Sequence, residues 1–207
     1  MLAYKGGVLL KTGVFGGTFD PVHIGHLAVA ERVYSDLGLD RIVFVPANRS
    51  PFKLGKASAS GEHRLNMLKL AIQDNSHFAV SDIELQRGGT SYTVDTMEVF
   101  REQYPQDEFY FIMGMDSFLE LSCWKDVERL VELARLVVVT RPGYELPPEQ
   151  KQSALPASVW QRTCFLEMPG LDIAATEIRE RIKKGRSVRY LLVPEVETYI
   201  YANEIYR

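Results

Sequence analysis

Short apolar runs and stretches of helical spacing alternate along almost the whole chain. Val8-Leu9-Leu10 and Val14-Phe15 form an apolar run that stops at Gly16-Gly17, which predicts a buried strand. From Gly25, apolar residues recur at Leu27, Ala30, Val33, Tyr34 and Leu37 and end at Gly38, predicting a helix over Gly25 to Asp36. Arg41 to Pro46 reads as strand, Ala47 to Gly61 as a polar loop, and Glu62 to Asp74 as helix. Phe78 to Leu85 is expected as strand, Thr93 to Tyr104 as helix, and Glu108 to Met113 as a strand closed by Gly114. Helical spacing returns over Asp116 to Leu121 and Asp126 to Leu133, and Arg135 to Thr140 is again strand-like. Tyr144 to Gln161, rich in Pro, Gln and Ser, reads as the least ordered connection. A last strand over Thr163 to Met168 precedes helices near Ala175 to Lys184 and Pro194 to Glu204.

This alternation predicts an α/β fold, a Rossmann-like doubly wound parallel sheet with helices on both faces. The expected organisation is one domain over residues 1–207. Residues 1–7 would be a flexible extension and 172–207 a small C-terminal helical part. Ligands of such sheets bind beyond the carboxyl ends of the strands. The glycine loop, Pro46 to Lys53, Gly114 to Asp116 and Thr140 to Gly143 should therefore converge on one crevice.

Size and charge narrow the function classes. The 207 residues suffice for one sizeable core, and a net charge of −3 argues against broad nucleic-acid or membrane binding. A polyanionic ligand would have to be met by local positive charge. Cys123 and Cys164 form neither a disulfide framework nor a metal-ligand spacing, so a reducing, cytoplasmic home is expected. No apolar stretch approaches the roughly 20 residues of a membrane span, and the first residues lack a signal-peptide core. The oligomeric state stays open, with a homodimer the commonest arrangement.

The chemistry concentrates where the first strand meets the first helix. Glycines at that turn let the backbone approach a ligand. The helix start offers unpaired N–H groups and a positive dipole end to an anion. His23 and His26 share one face of its first turn. A His-x-x-His pair alone is usually surface or core decoration; placed after Gly-Gly-Thr-Phe-Asp-Pro at a strand end, it marks a phosphate-handling site. The run is not G-x-G-x-x-G, and G-x-x-x-x-G-K-[ST] is absent, which argues against a dinucleotide-binding dehydrogenase and a P-loop NTPase.

The run Gly16-Gly17-Thr18-Phe19-Asp20-Pro21-Val22-His23-Ile24-Gly25-His26 resembles the nucleotidyltransferase superfamily signature. Within that superfamily the chain resembles bacterial nicotinate-mononucleotide adenylyltransferases. Pro46-Ala47-Asn48 with Pro51 and Lys53, Ser91-Tyr92-Thr93, and Ile112-Met113-Gly114-Met115-Asp116 stand in the family's order. Trp124, Arg141-Pro142-Gly143-Tyr144 and Thr176-Glu177-Ile178-Arg179 follow in the same order and spacing. The resemblance implies transfer of the adenylyl group of ATP to nicotinate mononucleotide, giving nicotinate adenine dinucleotide and pyrophosphate in NAD biosynthesis. The attacking phosphate is already ionised at neutral pH, so positioning and charge stabilisation suffice without a general base. Mg²⁺ is the implied cofactor, carried by ATP phosphates and water rather than by a protein cage.

The resemblance also implies roles. His23 and His26 would stabilise charge on the ATP phosphates, with Lys53 and Arg179 gripping the leaving pyrophosphate. Gly16, Gly17, Thr18 and Phe19 would line the phosphate path, with Arg141 and Thr176 also on the ATP side. Gly114 and Asp116 would meet the adenosine ribose. Trp124 would stack on the pyridine ring, and backbone N–H groups at Thr93 and Lys125 would take its carboxylate. Asn48, Ser91 and Tyr92 belong to the same pocket. Each position also has a plainer reading: a solvated Lys53, a core Trp124, an N-cap at Ser91-Tyr92-Thr93, a helix-capping Asp116, and an Arg179 on a wet helix face.

Two departures fall on the ATP side. Ser50-Pro51-Phe52-Lys53 replaces the family's Pro-Pro-His-Lys, removing an imidazole, and Ala174-Ala175-Thr176 lacks the usual serine hydroxyl. Three other functions compete. His-Ile-Gly-His is also found in class I aminoacyl-tRNA synthetases, but their Lys-Met-Ser-Lys-Ser loop is missing. Pantetheine-phosphate adenylyltransferase would not account for Trp124. A non-catalytic nucleotide-binding regulator fits the two departures better than it fits the two histidines.

Overall fold

The computed structural model describes residues 9–51, 58–140, 155–168 and 170–207. Lys53, Phe52, Arg141, the extension over 1–7 and residues 144–154 lie outside those described. The strands are β1 (Lys11–Gly17), β2 (Arg41–Pro46), β3 (Phe78–Val80), β4 (Glu108–Gly114), β5 (Arg135–Thr140) and β6 (Thr163–Glu167). All pair in parallel, in the order β3-β2-β1-β4-β5-β6. The chain winds outward from β1 in one direction to β3 and in the other from β4 to β6. The crevice where the order reverses lies between β1 and β4, and such a crevice is where ligands of these sheets bind.

Alternation along the strands sends side chains into two separate cores. Phe15, Ile42, Phe44, Ile112 and Val137 face one layer. That layer is built by α1 (Ile24–Leu37), α2 (Gly61–Ile72), α8 (Ala175–Lys183) and α9 (Pro194–Ala202). Val14, Val43, Val45, Phe111 and Leu136 face the other. There they meet α4 (Thr93–Gln103), α5 (Met115–Leu119), α6 (Val127–Leu133) and α7 (Ala157–Gln161). The helices near the C-terminus thus pack on the sheet itself, through Ile178, Ile182, Val196 and Ile200, all buried.

Three sequence expectations need correction. Phe78 to Leu85 is not one strand: β3 stops at Val80, and Ile83–Arg87 forms the short helix α3. Edge strand β3 pairs only with β2, so little holds it extended, while a helical turn carries Glu84 inside to accept from Thr96 Oγ1 at 2.7 Å. The connection ending at Gln161 includes helix α7, anchored by fully buried Val159. Finally, β1 begins at Lys11, where the Lys11 N–H donates to Asp40 Oδ2, rather than at Val8; Leu9 is exposed.

Candidate active site

β1 ends in Gly16-Gly17, and its last paired residue, Gly17, lies level with Pro46 at the end of β2. The next turn folds the Phe19 ring back under the glycine: a Cβ on Gly17 would come within 2.9 Å of it. Phe19 takes φ +49° and is buried edge-on against Phe15 and Phe44. A cis bond joins Asp20 to Pro21, and α1 starts three residues later.

The two histidines occupy that helix start. His23 is the N-cap residue with extended backbone. Its N–H donates to Nδ1 of His26 at 3.3 Å, so His26 caps the helix and a neutral His26 carries its proton on Nε2. The two rings stack with centroids 3.7 Å apart. Gly25 makes this possible, since a Cβ there would stand 3.0 Å from the His23 ring nitrogen. His23 is 7% exposed, and burial lowers its pKa from 6.5 to about 4. Its Nδ1 faces the His26 N–H in a capping-box arrangement but makes no well-aligned hydrogen bond among the described residues. A buried polar atom left unsatisfied costs stability, and such atoms concentrate where a ligand will complete them.

A cavity of about 870 Å³ opens beside this pair. Gly17, Thr18 and Phe19 form its floor, and Asn48, Thr176 and Arg179 reach it from β2's loop and from α8. Arg179 donates to the Asp20 carbonyl at 2.8 Å and to Thr176 Oγ1 at 3.2 Å, so it is held at the cavity rather than on a wet helix face. Ala174 caps α8 without a side-chain bond. Arg49 and Arg64 add positive charge to the same walls. This supplies the local cationic field that a net acidic chain needs to hold a polyanion.

Two smaller cavities share walls with it. One, about 450 Å³, runs past His23 and His26 to Gly114, Asp116 and Thr140 at the ends of β4 and β5. Gly114 is the N-cap of α5, and Asp116 stands in its first turn. The other, about 400 Å³, runs from Gly16, Gly17 and Thr18 to Ser91, Tyr92 and Trp124. Trp124 is half-buried, edge-on to Phe111, packing against the second core while it lines this cavity. Ser91 does not cap α4; its Oγ accepts the Asn48 N–H at 2.9 Å, joining the β2 loop to the start of α4. Thr93 and Lys125 line the same cavity, with Lys125 paired to Asp95 at 2.7 Å.

Three residues absent from the expected site set its shape. The Asp20 carboxylate is buried and accepts from Ser58 N–H, Ala59 N–H and the Tyr206 hydroxyl, at 2.7, 3.1 and 2.6 Å. Arg64, buried in α2, donates to the Thr18 carbonyl at 2.8 Å. Asp20 stood in the motif, but its partners lie up to 186 positions away, beyond any local pattern. Glu84, buried beside Ser91 and Thr96, was hidden by the strand expectation. Burial raises its pKa.

A cytidylyltransferase-like family model matches residues 14–181. The probable nicotinate-nucleotide adenylyltransferase of Syntrophotalea carbinolica is 44% identical, with 96% of this chain and 98% of that protein covered. That of Thermus thermophilus is 45% identical, with 96% and 100% covered. Among solved structures, Plasmodium falciparum nicotinic acid mononucleotide adenylyltransferase complexed with NaAD superposes with a TM-score of 0.77 at 21% identity. It covers 95% of this chain and 97% of its own, and at that identity the likeness concerns the fold. With a six-stranded parallel sheet, a glycine loop at its switch point and relatives at this identity over nearly their full length, the chain belongs to the nicotinate-nucleotide adenylyltransferases.

Proposed function

We infer that the protein transfers the adenylyl group of ATP to the phosphate of nicotinate mononucleotide, releasing pyrophosphate and forming nicotinate adenine dinucleotide. The observation that carries this reading is the meeting of three cavities over one short segment. His23 and His26 belong both to the large cationic cavity and to the one ending at Asp116. Gly17 and Thr18 belong both to the cationic cavity and to the one ending at Trp124. A triphosphate in the first, its adenosine in the second and a pyridine nucleotide in the third place the α-phosphorus beside the histidines.

The reaction demands little covalent work from the protein. A phosphate monoester loses its second proton near pH 6, so the acceptor arrives as a nucleophile. His23 and His26 stabilise charge building on the bridging oxygen, and Arg179, with Lys53, holds the departing pyrophosphate. Gly16 and Phe19 shape the path, with Arg141 and Thr176 on the same side. Gly114 and Asp116 take the ribose. Trp124 offers its ring to the pyridine. Asn48, Ser91, Tyr92, Thr93 and Lys125 enclose the nucleotide.

A divalent cation accompanies ATP in this chemistry. Asp20, the buried carboxylate in the phosphate cavity, already accepts three hydrogen bonds, and no metal-binding cluster occurs among the described residues. Mg²⁺ fits as a passenger on phosphate oxygens and water. No described helix is long and apolar enough to cross a membrane. Free, exposed Cys123 and Cys164 suit a reducing cytoplasm.

The test is pyrophosphate release with ATP, Mg²⁺ and one acceptor at a time: nicotinate mononucleotide, its amide, or phosphopantetheine. Turnover is expected with the acid. Turnover only with phosphopantetheine, or ATP binding without any turnover, overturns the reading.

A further inference from the structure

The chain's last turn is built in an uncommon way. After α9 the backbone takes left-handed steps at Glu204 (φ +52°) and Tyr206 (φ +68°). Neither is glycine or asparagine, and such steps are unfavourable for ordinary side chains unless the surroundings enforce them. Their effect is to turn Tyr206 inward, where its ring is buried with Ile205 and Ile200 and its hydroxyl donates to Asp20 Oδ1 at 2.6 Å.

Asp20 is where that bond matters. Its carboxylate also receives the N–H groups of Ser58 and Ala59, which form one wall of the cationic cavity. Its backbone carbonyl receives Arg179. Arg64 grips the neighbouring Thr18 carbonyl. A shift of Asp20 therefore moves one wall of the cavity and its guanidinium together. The cavity ending at Trp124 touches neither Asp20 nor Arg179.

We propose that Tyr206 is a positioning residue for the pyrophosphate half of the reaction, fixing Asp20 and through it Arg179 and the Ser58–Ala59 wall. The proposal rests on the adenylyl-transfer reading and adds to it an element at the opposite end of the sequence. Tyr206→Phe keeps the buried ring and removes only the hydroxyl. A lost bond to a buried carboxylate should raise the KM for ATP and the Kd of inorganic pyrophosphate by about tenfold. The KM for nicotinate mononucleotide should stay within about twofold of the unaltered enzyme, because uncoupled regions respond independently.

Asp20→Asn, which removes the charge but leaves an acceptor, should shift the same two constants. The Tyr206→Phe/Asp20→Asn double variant should cost less than the sum of the singles. If both single variants bind pyrophosphate as tightly as the parent, or if both substrates weaken in parallel, the proposal fails. A parent enzyme inactive on nicotinate mononucleotide would instead sink the adenylyl-transfer reading. Pyrophosphate titration of the same variants would still decide the role of Tyr206.

Discussion

Buried polar groups are fully paired at one end of the sheet and only partly paired at the other. At the amino end, Asp107 Oδ2 receives Arg41 Nη2 at 2.7 Å and the Thr12 hydroxyl at 3.0 Å, while Arg41 Nε donates to Thr12 Oγ1 at 2.9 Å. Arg101 donates to the carbonyls of Asp107 and Leu133 and lies over the Phe109 ring. At the carboxyl end, His23 Nδ1 and Arg64 Nε are buried without well-aligned hydrogen-bond partners among the described residues. A closed network rigidifies a fold, whereas an open one holds groups ready for an incoming ligand at some expense in stability. One end of this sheet fastens the strands; the other, on the adenylyl-transfer reading, is prepared for a polyanion.

The contrast breaks if the open end proves dispensable. Replacing His23 and His26 by alanine together should lower kcat by about a thousandfold or more, the scale of losing preorganised charge stabilisation. Circular dichroism would confirm retained fold, and a kcat near that of the parent would refute the assignment. At the closed end, Asp107→Ala strands the largely buried Arg41 guanidinium and should cost about 3 kcal/mol of stability. Urea unfolding would measure that loss, with kcat per folded molecule unchanged. Loss of kcat without loss of stability would reverse the roles of the two ends.

Acid sharpens the comparison further. His23 titrates at about 4 in the fold against 6.5 when exposed, so the folded state favours the neutral ring. Its contribution is fully present above pH 6.5 and is lost as pH falls toward 4. Between pH 7.5 and 4.5, the parent should lose about 2 kcal/mol more than a His23→Gln variant. Equal losses would mean that His23 is not buried neutral. The smallest effect is expected at α8, whose N-cap Ala174 makes no side-chain bond. Ala174→Ser should tighten ATP binding by about 1 kcal/mol, readable by calorimetry; unchanged or weaker binding would count against a role for that helix start.

Much of this was legible in the residues. The glycine loop, α1, β2, β5 and the doubly wound layering follow from periodicity, because buried parallel strands and amphipathic helices leave strong local patterns. The two histidines were legible through their spacing and their place after the glycines. Two kinds of feature were not. Ile83 and Leu85 suit either a strand or a helix, and only the inward turn of Glu84 decides between them. The partners of Asp20 come from Ser58, Ala59 and Tyr206, so the carboxylate that shapes the cationic cavity is defined by contacts with no sequence period.

Gly25 bears on how far this motif can drift. The His23 ring has little room to yield to a wedge beneath it, being covered by His26 on one side and buried overall. With 3.0 Å between that ring and a methyl group at position 25, even alanine would push the imidazole aside by a few tenths of an ångström. A saturation library at this codon, in cells whose growth depends on this enzyme, should return few residues besides glycine, while neighbouring Ile24, which lines a separate cavity, accepts several.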